Sequence, residues 1–164
     1  MSGGGHDSIQ DAQLVLVSNR GPVTYDVDAD GERFEKRGTG GLVTALTGLV
    51  NHRSDTLWVA STMTDEDAVV SRENDEQSFV VGESGSEFRV RLVQSDPFAY
   101  DRFYNVIANP MLWFIQHYLW DLSNAPDFRR EETEAFELGY RVVNADLAAA
   151  VLEEIREVES PVVM

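Results

Sequence analysis

Residues 14–23 read LVLVSNRGPV, and residues 37–46 read RGTGGLVTAL. The first four residues form an apolar run that is typical of a central strand in a parallel sheet, because such a strand is covered on both faces. The run ends in a polar triplet, so the strand brings Arg20 to its carboxyl end. Beyond a loop, Gly40 and Gly41 precede apolar residues at helical spacing. The pattern therefore predicts a strand, a loop and a helix, with an arginine and two glycines at the junctions.

The rest of the sequence alternates in the same way, which predicts an α/β domain on a largely parallel sheet with helices on both faces. A β-hairpin insertion is predicted at residues 23–37, with Asp30-Gly31 as its turn. Asn109-Pro110 is typical of a helix cap followed by a first-turn proline, which predicts that two helices meet there. The remaining predicted elements are strands at 56–61 and 87–93, a short helix begun by Thr64, a long helix from about 131 to 158, and a buried strand that starts in SPVVM at 160–164.

Composition limits the partners of this 164-residue chain. Its net charge is -16, and Lys36 is the only lysine among 13 basic residues. A surface so acidic argues against nucleic acid and anionic membranes as partners, since both require basic residues. The acidic residues are spread along the chain, which is typical of adaptation to high salt; an ordinary acidic cytosolic protein is the alternative.

The ends of the chain differ in character. Residues 1–13 are glycine-rich and polar, which predicts a flexible tail, and residues 14–164 are predicted to form one lobe. The sequence stops inside its last predicted strand, so we expect a truncated lobe of a longer protein. No apolar stretch is long enough to cross a membrane, and there is no signal peptide and no cysteine, so the cytoplasm is the expected location. The sequence leaves open whether the protein forms a homo-oligomer.

Two groups of residues are candidates for ligand binding. Arg20 can hold a phosphate with its guanidinium fork, and Gly40 and Gly41 open a helix whose free amides attract an anion. Tyr104 and Trp113 offer ring faces that can stack on a sugar. Each group has a structural alternative, namely a hydrogen-bonding arginine, an ordinary turn, or aromatic core residues. No metal-ligand spacing, nucleophile motif or acid–base pair is present, so neither a metal site nor a catalytic residue is predicted.

Four segments taken together resemble the trehalose-6-phosphate synthase family, in the same order and at similar spacing, from about residue 14 to the last residue. They are VLVSNRGPV, GTGGLVTAL, FYNVIANPMLWFIQHY and GYRVVNADLAAAV. The resemblance implies the N-terminal Rossmann-like lobe of a GT-B glycosyltransferase. Members of the family transfer glucose, usually from UDP-glucose, to glucose 6-phosphate with retention of configuration. They use no catalytic metal or other cofactor besides the nucleotide-sugar co-substrate.

The resemblance also implies roles for individual residues. Arg20, Tyr104 and Trp113 match the positions that bind the acceptor sugar phosphate, and Gly40 and Gly41 match the glycine loop near the donor. The family's H-D-Y-H segment and its donor lobe would follow residue 164, so the resemblance implies that these residues carry no catalytic group and are inactive alone.

One departure from the family pattern leaves the acceptor open. Trp58 matches the first tryptophan of the family's W-x-G-W motif, but Ser61 replaces the second, which lines the acceptor pocket. A glucosylglycerol-phosphate synthase and a pseudo-sugar synthase are therefore alternatives. A non-catalytic lobe that binds sugar phosphate is a second alternative. An unrelated dinucleotide-binding domain is a third, although the first strand lacks the G-x-G-x-x-G that would follow it.

Overall fold

The computed structural model describes most of the chain in five stretches. They are residues 13–38, 40–50, 55–82, 87–117 and 129–164, without the side chain of Leu42. The predicted tail at residues 1–13 therefore lies, except for Gln13, outside the described residues. Contacts divide the chain into two compact units, one formed by residues 1–94 with 149–164 and the other by residues 95–148.

The strands form two sheets in the first unit. They are β1 (Leu14–Ser18), β2 (Val23–Val27), β3 (Arg33–Arg37), β4 (Thr56–Ser61), β5 (Phe79–Val81), β6 (Phe88–Val93) and β7 (Val162–Val163). The main sheet has the order β5-β6-β4-β1-β7, and only β5 runs antiparallel to its neighbour. This arrangement confirms the predicted α/β fold with a largely parallel sheet.

The helices include two segments in the wider π form, here π1 and π2. In chain order they are α1 (Gly41–Val50), α2 (Asp65–Glu73), α3 (Pro97–Asp101), π1 (Arg102–Leu112), α4 (Trp113–Gln116), α5 (Arg130–Ala135), π2 (Phe136–Tyr140) and α6 (Arg141–Glu154).

Both faces of the main sheet carry helices, as the sequence predicts. On one face, Leu16 and Trp58 belong to an apolar core that includes residues of α1 and α2. On the other face, the nearly buried Arg91 donates to the carbonyl of Ala150 at 3.2 Å and forms ion pairs with Glu153 and Glu154 at the end of α6. The Arg91 guanidinium thus satisfies carbonyl and carboxylate groups where the helix ends, and it lowers the pKa of the Glu153 carboxyl by hydrogen bonding.

The predicted hairpin is confirmed as β2 and β3, and a buried carboxylate fastens it to α2. Asp67 is fully buried and accepts hydrogen bonds from the backbone N–H of Tyr25, Met63 and Thr64, at 2.6, 2.8 and 3.2 Å. Thr64 caps α2 through a capping box with Asp67, and its hydroxyl donates to the carbonyl of Tyr25 at 2.7 Å. The start of α2 therefore holds β2 by both main-chain groups of Tyr25.

Ion pairs on the surface add a second attachment. Arg33 of β3 forms ion pairs with Glu66 and Glu73 of α2, at 2.5 and 2.6 Å. Its guanidinium holds the pKa of the Glu73 carboxyl below the usual value, chiefly by hydrogen bonding. Because these groups face solvent, they contribute much less to stability than the buried Asp67.

In the second unit, the two π segments pack closely at one glycine. A Cβ atom on Gly139 would overlap Cβ of Arg102 and would lie 2.7 Å from the backbone N of Phe103 and 2.9 Å from the carbonyl of Ala99. Such contacts are too short for any side chain, so the packing of π2 against α3 and π1 requires glycine at this position.

The structure corrects three expectations and adds a strand. The prediction that two helices meet at Asn109-Pro110 is wrong, because π1 continues through Pro110 to residue 112. A proline inside an α-helix lacks its N–H and its ring clashes with the carbonyl four residues back, whereas the hydrogen bonds of a π-helix reach five residues back. The long helix is interrupted by π2 and ends at Glu154 rather than near 158. Strand β7 is present but largely exposed because it is an edge strand, and β5 is not predicted from the sequence.

Removing the Asp67 carboxylate tests its role in fastening the hairpin. We expect Asp67→Ala to lower the free energy of unfolding by about 3 kcal/mol, because three backbone N–H groups lose their acceptor. Asp65→Ala, in the exposed first turn of the same helix, is the control and should cost about 0.5 kcal/mol. Urea denaturation of the purified chain measures both, and equal losses would contradict the role given to Asp67.

Candidate functional site

The carboxyl end of β1 leads to Arg20, whose guanidinium has no protein partner among the described residues. Arg20 follows the strand by two residues and is exposed. Within the stretches that the structure describes, its guanidinium has neither a hydrogen-bond acceptor nor an ion-pair partner, although the chain has 29 acidic residues. Arg33, Arg91, Arg130 and Arg141 each contact a carboxylate. Arg20 is therefore available to bind an anionic ligand.

A buried tryptophan lies behind this arginine. Trp58 is fully buried on β4, where it is the register partner of Leu16 on β1. Its indole N–H donates to the Ser18 hydroxyl at 2.8 Å, and that hydroxyl donates to the Arg20 carbonyl at 2.7 Å. Trp58 is thus a core residue and, in the described part of the chain, has no surface that a ligand could touch. Sequence reasoning missed Ser18, although its place in the Ser-Asn-Arg triplet is the signal that could have identified it.

The two candidate glycines lie at the start of α1. Gly40 has a φ of +121°, and its carbonyl accepts from both the backbone N–H and the hydroxyl of Thr44, each at 3.0 Å. Gly41 is the first helical residue, and a Cβ atom at either glycine would meet nothing within 4 Å. The first N–H groups of a helix have no partner within the helix, so an anion site at the start of α1 stays a prediction that this geometry allows.

The π form of the helix decides how Tyr104 and Trp113 are oriented. They lie nine residues apart, Tyr104 within π1 and Trp113 directly after it. In an α-helix, nine residues span about 2.5 turns and would send the two side chains to opposite sides. A π-helix has wider turns, closed by hydrogen bonds between residues five apart. The π1 segment therefore sets a different angle between the two aromatic side chains, around the helix axis, from the one that an α-helix would give.

Both aromatic side chains have a partner within the second unit. The Trp113 ring stacks on the imidazole of His117, with centroids 4.3 Å apart, and His117 Nδ1 donates to the Trp113 carbonyl at 2.7 Å. Half of the Trp113 side chain is still exposed. Tyr104 stacks on Tyr100 at 6.2 Å. Trp113 thus has one ring neighbour, His117, and keeps exposed surface on which a sugar could stack.

Ser61 lies at the carboxyl end of β4 and is nearly inaccessible. It is 2% exposed, and its hydroxyl has no hydrogen-bond partner in the described part of the chain. Because side chains alternate along a strand, Ser61 points to the sheet face opposite that of Trp58. A tryptophan at this position would need far more space than the serine occupies.

The candidate residues are divided between the two units. Arg20, Gly40 and Gly41 lie in the first unit, and Tyr104 and Trp113 lie in the second. Across the described ranges, no three acidic or histidine side chains are grouped closely enough to hold a metal ion. None of the helices in these ranges has the length and apolar character needed to span a membrane.

A separate cavity of about 640 Å³ lies at the other end of the main sheet. Gln13, Asp55 and Ser160, which precede β1, β4 and β7, are among its lining residues. Ligands of open α/β sheets bind beyond the carboxyl ends of the strands, whereas this cavity lies at the amino ends. The carboxyl end that carries Arg20 is therefore the better candidate.

The positive φ of Gly40 gives a test of the loop before α1. We expect Gly40→Ala to cost about 2 kcal/mol of unfolding free energy, since the backbone conformation disfavours a side chain. Gly41→Ala is the matched neighbour, and its stability should be unchanged or slightly higher because it is in a helix. Urea denaturation compares the two variants, and equal midpoints would contradict the strained conformation of Gly40.

Comparison with known proteins places these observations in a family. The model of glycosyltransferase family 20 matches residues 12–164. A validamine 7-phosphate valienyltransferase from Streptomyces hygroscopicus subsp. jinggangensis is 28% identical over 92% of this chain and 30% of its own length. An alpha,alpha-trehalose-phosphate synthase from Aspergillus niger is 30% identical over 90% of this chain and 26% of its own length. The chain thus spans less than a third of the curated relatives it matches.

The fold is also found in a solved structure. A trehalose-6-phosphate synthase, OtsA, superimposes with a TM-score of 0.55 at 23% identity, over 87% of this chain and 26% of that protein. At this level of sequence identity the likeness is evidence for the fold alone. Because the family model covers nearly the whole sequence, the chain belongs to glycosyltransferase family 20.

Proposed function

We propose that this chain is the acceptor-side lobe of a retaining hexosyltransferase. The complete enzyme transfers glucose from a nucleotide sugar, UDP-glucose in the first instance, to glucose 6-phosphate and releases the nucleotide diphosphate. The product is trehalose 6-phosphate. The proposed reaction uses no metal or other cofactor, and both substrates are small molecules.

The observation that carries the proposal is the free guanidinium of Arg20. It lies beyond the carboxyl end of a central strand, exposed and without a protein partner among the described residues. A phosphate monoester is the ligand that best fits such a group, because the guanidinium fork can bind two phosphate oxygens at once. In a protein with a net charge of -16, an unpaired arginine also supplies the local positive charge that an anionic acceptor needs.

The start of α1 fits the donor side of the same reaction. Negative charge develops on the diphosphate as it leaves the sugar, and backbone N–H groups fixed at a helix N-terminus stabilise such charge. Gly40 and Gly41 have no side chain at this helix end, and apart from their chain neighbours and the helix's own backbone no described atom lies within 4 Å of where their Cβ atoms would be. Tyr104 and Trp113 complete the acceptor side by contact with the sugar ring.

The lobe supplies only part of the active site. The curated relatives are more than three times as long as the stretch they share with this chain. A second lobe provides the catalytic groups and most contacts to the nucleotide, and residues 14–164 contribute the acceptor site. In this proposal the protein acts in the cytoplasm, and its acidic surface reflects adaptation to high salt.

A pseudo-sugar acceptor is the second candidate, and Ser61 favours it. A buried serine stands where the resemblance to trehalose-6-phosphate synthases leads us to expect a pocket tryptophan, which implies a differently shaped acceptor pocket. The valienyltransferase among the relatives is named for validamine 7-phosphate, which also carries a phosphate. Arg20 would keep its role with either acceptor, because both are phosphate esters.

A nucleotide-release assay on the protein expressed from its complete gene tests the proposal. UDP-glucose and GDP-glucose are each offered with glucose 6-phosphate, glycerol 3-phosphate, validamine 7-phosphate or unphosphorylated glucose. We expect release of UDP with glucose 6-phosphate and none with glucose. Release of nucleotide only with another phosphate ester would mean that this ester, and not glucose 6-phosphate, is the acceptor. Calorimetric binding of glucose 6-phosphate without turnover would indicate a non-catalytic lobe.

Substitution of Arg20 tests the phosphate contact itself. We expect Arg20→Ala to raise KM for the phosphorylated acceptor about 10- to 100-fold, the effect of losing a charge-assisted hydrogen bond, while KM for the donor changes little. Arg130→Ala removes the same charge from an exposed surface pair and serves as the control. An acceptor KM that is the same in the two variants would contradict the role of Arg20.

A further inference from the structure

The hydroxyl of Ser18 joins the core of the first unit to the main chain of Arg20. It accepts from the Trp58 indole at 2.8 Å and donates to the Arg20 carbonyl at 2.7 Å. An indole N–H can only donate and a carbonyl can only accept. The hydroxyl proton must therefore point to Arg20, so this chain of bonds has a single arrangement.

Trp58 and Arg20, the two ends of this series of hydrogen bonds, differ in mobility. Trp58 is fully buried in β4 and has no freedom to move without disturbing the core. Arg20 lies outside β1 and is exposed, and no other bond of its guanidinium is present among the described residues to hold the side chain. The bond from Ser18 thus ties the Arg20 carbonyl to the rigid part of the sheet, next to the buried Gly21 that follows it.

A purely structural role would explain only the first of the two bonds. A buried indole N–H needs an acceptor, and Ser18 provides one. The carbonyl of Arg20 is at the surface, where water could satisfy it, so the second bond is not required by burial. Consecutive hydrogen bonds also polarise one another, so the indole strengthens the bond to Arg20.

We propose that Ser18 and Trp58 are positioning residues that hold Arg20 for the phosphate of the acceptor. The inference rests on the proposed function, in which Arg20 binds that phosphate. Neither residue touches the substrate: Ser18 fixes the main chain from which the guanidinium extends, and Trp58 fixes Ser18. Pre-orientation lowers the cost of immobilising a long side chain when the ligand binds.

Steady-state kinetics on the protein from its complete gene, with glucose 6-phosphate as acceptor, test the inference. We expect Ser18→Ala to raise the acceptor KM about tenfold, the effect of one lost hydrogen bond, with kcat within about twofold. Ser18→Thr keeps the hydroxyl and should restore KM.

Trp58→Phe should raise the acceptor KM less than Ser18→Ala does, and the double variant should have an acceptor KM no higher than that of Ser18→Ala alone. Inhibition by inorganic phosphate, competitive with the acceptor, should weaken in the same ratio.

Ser71→Ala is the matched control for lost stability. The Ser71 hydroxyl, like that of Ser18, donates to a carbonyl at 2.7 Å, that of Leu92, but it is buried and has no connection to Arg20. A KM for Ser18→Ala equal to that of Ser71→Ala, or a fall in kcat without a rise in KM, would overturn the inference. If Arg20→Ala raises KM in the same experiment, the proposed function still stands. If Arg20→Ala leaves KM unchanged, the proposed function fails as well.

Discussion

The buried carboxylate of Asp67 is the contact on which the position of both candidate anion-binding elements depends. The hairpin β2–β3 connects β1 to α1 and forms a two-stranded sheet of its own, separate from the main sheet. An isolated two-stranded hairpin is marginally stable in water. Asp67 ties it to the start of α2 through the main chain of Tyr25. Because Arg20 precedes the hairpin and Gly40 follows it, one buried acid constrains both ends of the loop that carries them.

Some arginines of this chain hold structural elements together, whereas Arg20 is a candidate for ligand binding. At the end of α6, Arg91 contacts one carbonyl and two carboxylates, and Arg33 joins the hairpin to α2. Basic residues are few in this chain, and Arg33, Arg89, Arg91, Arg130 and Arg141 all form ion pairs with carboxylates. Against that background the guanidinium of Arg20, which has no carboxylate partner among the described residues, is informative in so acidic a protein.

Local signals in the sequence were sufficient for much of the fold. The apolar run of β1, the Asp30-Gly31 turn and the Thr64 cap each depend on residues that are adjacent in sequence, and each prediction is confirmed. Errors arose where distant residues decide the outcome. The start of π1 packs against π2 at Gly139, which lies far away in sequence, and the exposure of β7 depends on its place in the sheet. For the candidate site, residue chemistry alone identified Arg20, but the bonds from Trp58 through Ser18 join residues forty positions apart and leave no local pattern.

The π form of π1 has a consequence for how this segment can evolve. Each residue added to or removed from a helix rotates everything beyond it by about a quarter of a turn or more. The angle between the Tyr104 and Trp113 side chains around the helix axis depends on their spacing of nine residues and on the wide turns of π1. A homologue with one residue fewer in this segment would carry the same two aromatic side chains and yet direct them differently. Length variation here would therefore alter ligand geometry without any change in residue identity, and an alignment gap in this segment would be a sign of altered ligand specificity.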